Sequence, residues 1–144
     1  LNNRMIEKIR NLIVFMVITI LLVGCQPNEN IVIPDISVND EEISYIIHKN
    51  YNNVSNPDAP PPFHHEIEPI KVAPNTRVDV VYVDEEPNHL GWKQWHGEVL
   101  IVDEDFVGDH FFAPSREGIY IYSIESRWTW KEDIAAVFIL QVEN

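Results

Sequence analysis

Three sets of side chains in this sequence are of types that could do chemistry. Asp103-x-Asp105-x-x-Gly108-Asp109 opens like a calcium loop, since hard cations take carboxylate oxygens from closely spaced positions of a turn. An EF-hand spacing would then want an oxygen ligand at Val107 and a glutamate at Pro114, and gets neither. A looser calcium set of Asp103, Asp105 and Asp109 is left, beside the plainer reading of a solvated acidic turn between strands. The histidines are His48, His64, His65, His89, His96 and His110, with no His-x-His or His-Glu-x-x-His spacing. On an extended strand His64 and Glu66 would share a face while His65 pointed away, so the expectation is surface and loop histidines. Trp92, Trp95 and Trp130 could stack a sugar if exposed, although aromatics at strand spacing usually fill a core. Trp130 is the best candidate for exposure, beside Lys131-Glu132-Asp133 where a turn is expected.

Catalytic signatures are missing from the sequence. It has no Gly-x-Ser-x-Gly elbow, no zinc-protease motif and no phosphate loop. With 23 Asp and Glu, some carboxylate pair will fall at a hydrolase-like distance by chance, so such a pair says nothing. The expectation is a non-catalytic binding or interaction module with no resident cofactor. The alternatives are a calcium- or carbohydrate-binding accessory domain and, behind it, a cell-envelope hydrolase.

The only cysteine closes an apolar run, Leu12 to Val23, that follows Arg4, Lys8 and Arg10. The twelve residues of that run would span roughly 18 Å as a helix, against a hydrocarbon core of roughly 30 Å. That suits a signal-peptide core better than a permanent span. Leu22-Val23-Gly24-Cys25 resembles the lipobox of bacterial lipoproteins. The resemblance implies cleavage before Cys25, with Leu22, Val23 and Gly24 read by the peptidase, and a diacylglyceryl group on the Cys25 thiol. Two acyl chains anchor stably where one is marginal. The expected organisation is a signal peptide over 1–24, lipidated Cys25 and a tether over 25–35, and one domain over 36–144. The expected location is the outer face of the bacterial cytoplasmic membrane, or the outer membrane where the cell has one. Gln26 is not the aspartate that usually retains lipoproteins at the inner membrane.

Cys25 to Asn144 is 120 residues, enough for one domain with one core. From Gln26 onward 7 Lys and Arg face 22 Asp and Glu, a formal charge of −15. Nucleic acid is thereby an unsuitable partner, because phosphate binding needs cations. The same charge repels anionic lipid and favours a domain standing off the surface, available to a protein or cell-wall partner. Acylation of Cys25 leaves no thiol for disulfides, nucleophilic attack or thiolate ligation.

Positioning falls to β structure. Ile36-Ser37-Val38 and Ile43-Ser44-Tyr45-Ile46 flank Asn39-Asp40, residues that tolerate the left-handed turn of a hairpin; Asn39 with Glu42 would alternatively cap a short helix. Asn50 to Pro62, with Pro60-Pro61-Pro62, should hold no regular element. Thr76 to Val83, Glu98 to Val102, Gly118 to Trp128 and Ile134 to Val142 read as strands. In the last, Ile134, Ala136, Phe138, Leu140 and Val142 share one face and Ala135, Val137 and Ile139 the other, as in a central strand or an edge covered by the tether region. Binding is expected at loops such as 84–95 or 102–110.

Arg116-Glu117-Gly118-Ile119-Tyr120-Ile121-Tyr122 resembles the tyrosine corner of immunoglobulin-like sandwiches. That resemblance places Tyr120 at the corner and Tyr122 where antibody domains carry the strand-F cysteine, with Trp92 or Trp95 as the core tryptophan. The expected fold is all-β, an immunoglobulin-like β-sandwich preceded by a signal-peptide helix and a tether. From Ile36 to Val142 the chain is also similar to small uncharacterised lipoproteins of the Bacillus type. The shared cues are Val72-Ala73-Pro74-Asn75-Thr76, Phe112-Ala113-Pro114 and Gly118-x-Tyr120-x-Tyr122 leading to Trp128. This implies a fold and no particular activity.

Overall fold

The computed structural model describes Arg4 and residues 31–144. Leu22, Val23, Gly24 and Cys25 lie outside the described residues, with the rest of the expected signal segment save Arg4. From residue 31 onward the described chain is all-β, with no α-helix.

Strand β1 (Asp35–Val38) turns through Asn39 and Asp40 into β2 (Glu41–Glu42). Both turn residues have positive φ, 52° and 64°, as a two-residue type I′ hairpin demands. The hairpin is therefore present, but its second arm stops at Glu42. The apolar residues beyond leave it to enter the other sheet as β3 (Ile46–Lys49). A proline-rich strap follows over residues 50–67, with 3₁₀ turns at Tyr51–Asn53 and Pro62–Glu66 where no regular element was expected. Next come β4 (Ile70–Val72), β5 (Arg77–Val81), β6 (His89–His96), β7 (Val99–Asp105), β8 (His110–Phe112), β9 (Gly118–Arg127) and β10 (Ile134–Val142).

One sheet has the order β2-β1-β5-β8. The other runs β3-β10-β9-β6-β7, and β4 lies parallel to the last residues of β10. Strands β5 and β8 thus take the B and E places of an immunoglobulin-like sandwich, and β6, β9 and β10 the C, F and G places. Strand β7 sits where variable-type domains add C′.

The corner is formed as its residues imply. Tyr120 Oη donates to the Arg116 carbonyl at 2.9 Å. Gly118 has φ of 153°, and a Cβ there would come within 2.7 Å of His96 Nε2. The His96 ring in turn stacks on Tyr120, centroids 4.7 Å apart. Tyr122 lies between the sheets in place of a cysteine. It stacks on Phe138 at 5.1 Å, and Phe111 tilts against it at 5.0 Å. Burial of such rings, each worth roughly 1.5–3 kcal/mol, replaces the disulfide as the link between sheets.

Strand β10 is a central strand. Ala136, Phe138, Leu140 and Val142 face the partner sheet, and Ala135, Val137 and Ile139 form a second apolar cluster on the opposite face. A recess lies beside that outer cluster.

Candidate functional site

The outer face of the larger sheet carries Trp95, Ile121, Ala135, Val137 and Ile139, too apolar to be left to water. The strap covers it, bringing in Tyr51, Phe63 and Ile67. The strap closes only a few turn hydrogen bonds of its own, such as Ala59 N–H to the Asn56 carbonyl and His64 N–H to that of Pro61, so other carbonyls of this proline-rich backbone need donors from elsewhere. Two residues of β6 supply them. Trp95 Nε1 donates to the Asp58 carbonyl at 2.7 Å, and Lys93 Nζ to the Pro57 carbonyl at 3.0 Å. At the strap's beginning Arg127 Nε donates to Tyr51 Oη at 3.0 Å, its guanidinium 5.9 Å from that ring's centroid.

The strap does not seal the face. Between it and the sheet lies a cleft of about 360 Å³. Strap residues from Val54 to Pro62 form one wall, and His48, Lys93, Trp95, Ser123 and Glu125 the other. Lys93 Nζ stands 3.9 Å from Glu125 and 3.8 Å from Asp103. Burial holds the Glu125 carboxyl above its ordinary range, Lys93 opposing that rise and Asp103 adding to it. Burial likewise pushes the His48 imidazole down. Apolar walls with a few convergent polar groups are the usual make-up of a small-ligand site. Glu125 is the one carboxylate among the described residues lining this cleft.

The calcium set is not assembled as expected. Asp103 and Asp105 lie within β7 rather than in a turn, because Val99 to Val102 carries the strand register on into the acidic stretch. Asp103 faces Lys93, and His89 Nε2 lies 2.9 Å from Asp105. Asp109, in the following loop, pairs with His110 at 2.7 Å and lies 4.0 Å from Arg77. Its carboxyl is lowered chiefly by the His110 hydrogen bond. Charges along β7 also protect an edge strand whose Val99 and Ile101 are exposed.

The three tryptophans do not form a platform. Trp92 and Trp95 are three residues apart on one strand and so point to opposite faces. Trp92 packs between the sheets against Phe111 and Phe106, the core tryptophan that the corner motif implies. Trp95 is 2% exposed beneath the strap. Trp130 alone is exposed as expected, at 94%, in the turn between β9 and β10. Of the two ranges expected to bind, residues 89–95 lie in β6 and 102–105 in β7, while 84–88 and 106–109 connect strands.

Sequence reasoning missed one convergence. Among the described residues a single group of three metal-ligating side chains comes together, His64, His65 and Glu98. The 3₁₀ turn at Pro62–Glu66, foreshadowed by three consecutive prolines, brings the two rings together where an extended strand would have parted them.

Among the described residues no helix is long and apolar enough to cross a membrane. No family model, curated protein or solved structure matches the chain.

Proposed function

We propose that this chain is a lipid-anchored extracytoplasmic binding module without catalytic activity, which takes its ligand in the cleft between the strap and the larger sheet. The cleft carries the reading: about 360 Å³ of space between strap and sheet, with largely apolar walls and one desolvated Lys93–Glu125 pair in the sheet-side wall. Such a pair orients a polar group of a ligand, and among the described residues no second carboxylate lines the cleft to share in acid–base chemistry. Support for the anchor comes from Leu22-Val23-Gly24-Cys25 after an apolar run too short to span a bilayer. The acidic body favours a protein or cell-wall partner over nucleic acid or a bare anionic membrane.

Photo-crosslinking in intact cells tests the site. A benzoylphenylalanine in place of exposed Ser55, at the cleft rim, should give discrete adducts that vanish when the cleft is filled by Ala59→Trp. The same probe in place of exposed Ile101, on β7, should not give those adducts. Adducts from Ile101 alone, or adducts from Ser55 indifferent to Ala59→Trp, would remove the cleft from the account.

A further inference from the structure

We infer that His64, His65 and Glu98 form a binding site for a divalent transition-metal ion, of which Zn²⁺ is the chemical type. This goes beyond the cleft reading and does not depend on it. One ligand atom from each of the three side chains lies within 4.8 Å of the others. Ligands of tetrahedral zinc at about 2.1 Å stand about 3.4 Å apart, so modest rotation of the two exposed members closes the set. His65 and Glu98 are both exposed and free to make that rotation, while His64 is half-buried and fixed.

The backbone explains why the three meet. The 3₁₀ turn at Pro62–Glu66 brings the His64 and His65 rings together, tilted by 40° with centroids 3.7 Å apart. Glu98 comes from the two-residue loop between β6 and β7, where Gly97 takes φ of 60° and reverses the chain in two residues. The loop thereby points at the strap's last turn, and all three side chains line a shared recess of about 510 Å³ with Asp58.

His64 is also prepared for ligation. Its Nδ1 lies 2.7 Å from the Pro61 carbonyl oxygen. A carbonyl only accepts, so Nδ1 carries the proton and Nε2 presents its lone pair. A ligating histidine almost always has its other ring N–H held in this way, which fixes tautomer and ring orientation. Two imidazoles and one carboxylate suit zinc and copper(II) and are too few, and too rich in nitrogen, for calcium. A His₂Glu set leaves a coordination position for water or for a ligand atom from a partner.

Equilibrium dialysis of the untagged full chain against Zn²⁺, in excess Ca²⁺, tests the site, with bound metal measured by mass spectrometry. The expected result is one zinc per chain, weakened at least about tenfold by His65→Ala and by Glu98→Gln. His110→Ala, which removes a half-buried histidine elsewhere, should leave the binding unchanged. Zinc-edge absorption should read two imidazoles in the bound state, a readout that does not rely on any variant folding. Absence of stoichiometric zinc, equal weakening by His110→Ala, or an edge spectrum without two imidazoles would each overturn the proposal.

Discussion

The indole Nε1 of Trp95 donates to the carbonyl of Asp58 at 2.7 Å, joining the middle of β6 to the middle of the strap. Substitution Trp95→Phe removes that donor and part of a buried ring, and should cost about 1–3 kcal/mol. The loss should be local first. Hydrogen exchange at the strap amides of Ala59 and His64, which close onto Asn56 and Pro61, should accelerate before that of β9 and β10. Equal acceleration everywhere would mean that the strap is no separate unit.

Two tyrosines on β9 predict opposite signs for one substitution. Tyr120 Oη donates to Arg116, so Tyr120→Phe should destabilise by about 1 kcal/mol. Tyr122 Oη is buried without a hydrogen-bond partner among the described residues, and burial raises its pKa. Tyr122→Phe removes an unsatisfied polar atom and should stabilise, by up to about 1–3 kcal/mol. Denaturant midpoints of the two variants should therefore move in opposite directions from wild type.

Glu125 gives a pH dependence. Its pKa in the folded chain is raised from 4.5, chiefly by burial. The folded state then holds the proton more tightly than the unfolded chain. This group's contribution is present below pH 4.5 and is lost as pH rises through the window between that value and the raised one. His48, lowered from 6.5 by burial, works the other way and adds stability as pH rises through the window below 6.5. Glu125→Gln should be the more stable protein at neutral pH and should lose the decline that starts above pH 4.5. Urea midpoints across this range measure the slope, and an unchanged slope would contradict the assignment.

Gly118→Ala should destabilise by more than about 1 kcal/mol, because the backbone there is left-handed and a Cβ would strike His96. Truncating that ring with His96→Ala should relieve only the steric part. Thermal melts of the single and double variants separate the two contributions.

Most of the sandwich was legible because its signals are local. Period-two patterning assigned both faces of β10, Gly118-x-Tyr120 announced the corner, and Asn39-Asp40 announced the turn. The candidate sites were hidden because they depend on where a non-periodic segment lands. Nothing in Pro60-Pro61-Pro62 says that it crosses the larger sheet, although the apolar residues on the outer face of β10 required some cover. An extended reading of His64 and His65 separated rings that a 3₁₀ turn brings together. The acidic stretch read as a turn because charge suggested a loop, whereas register from Val99 carried the strand through Asp105. Trp92 and Trp95 were both core candidates, and only the strand's period settled which face each serves.

Anchoring is the central claim, and the intact mass of the chain recovered from bacterial membranes tests it most directly. The account predicts a polypeptide that begins at Cys25, carries the added mass of a diacylglyceryl group and sediments with membranes. It also predicts that Cys25→Ala yields an uncleaved, unacylated chain. Recovery of the wild-type chain with residues 1–24 still attached and the Cys25 thiol unmodified would contradict it.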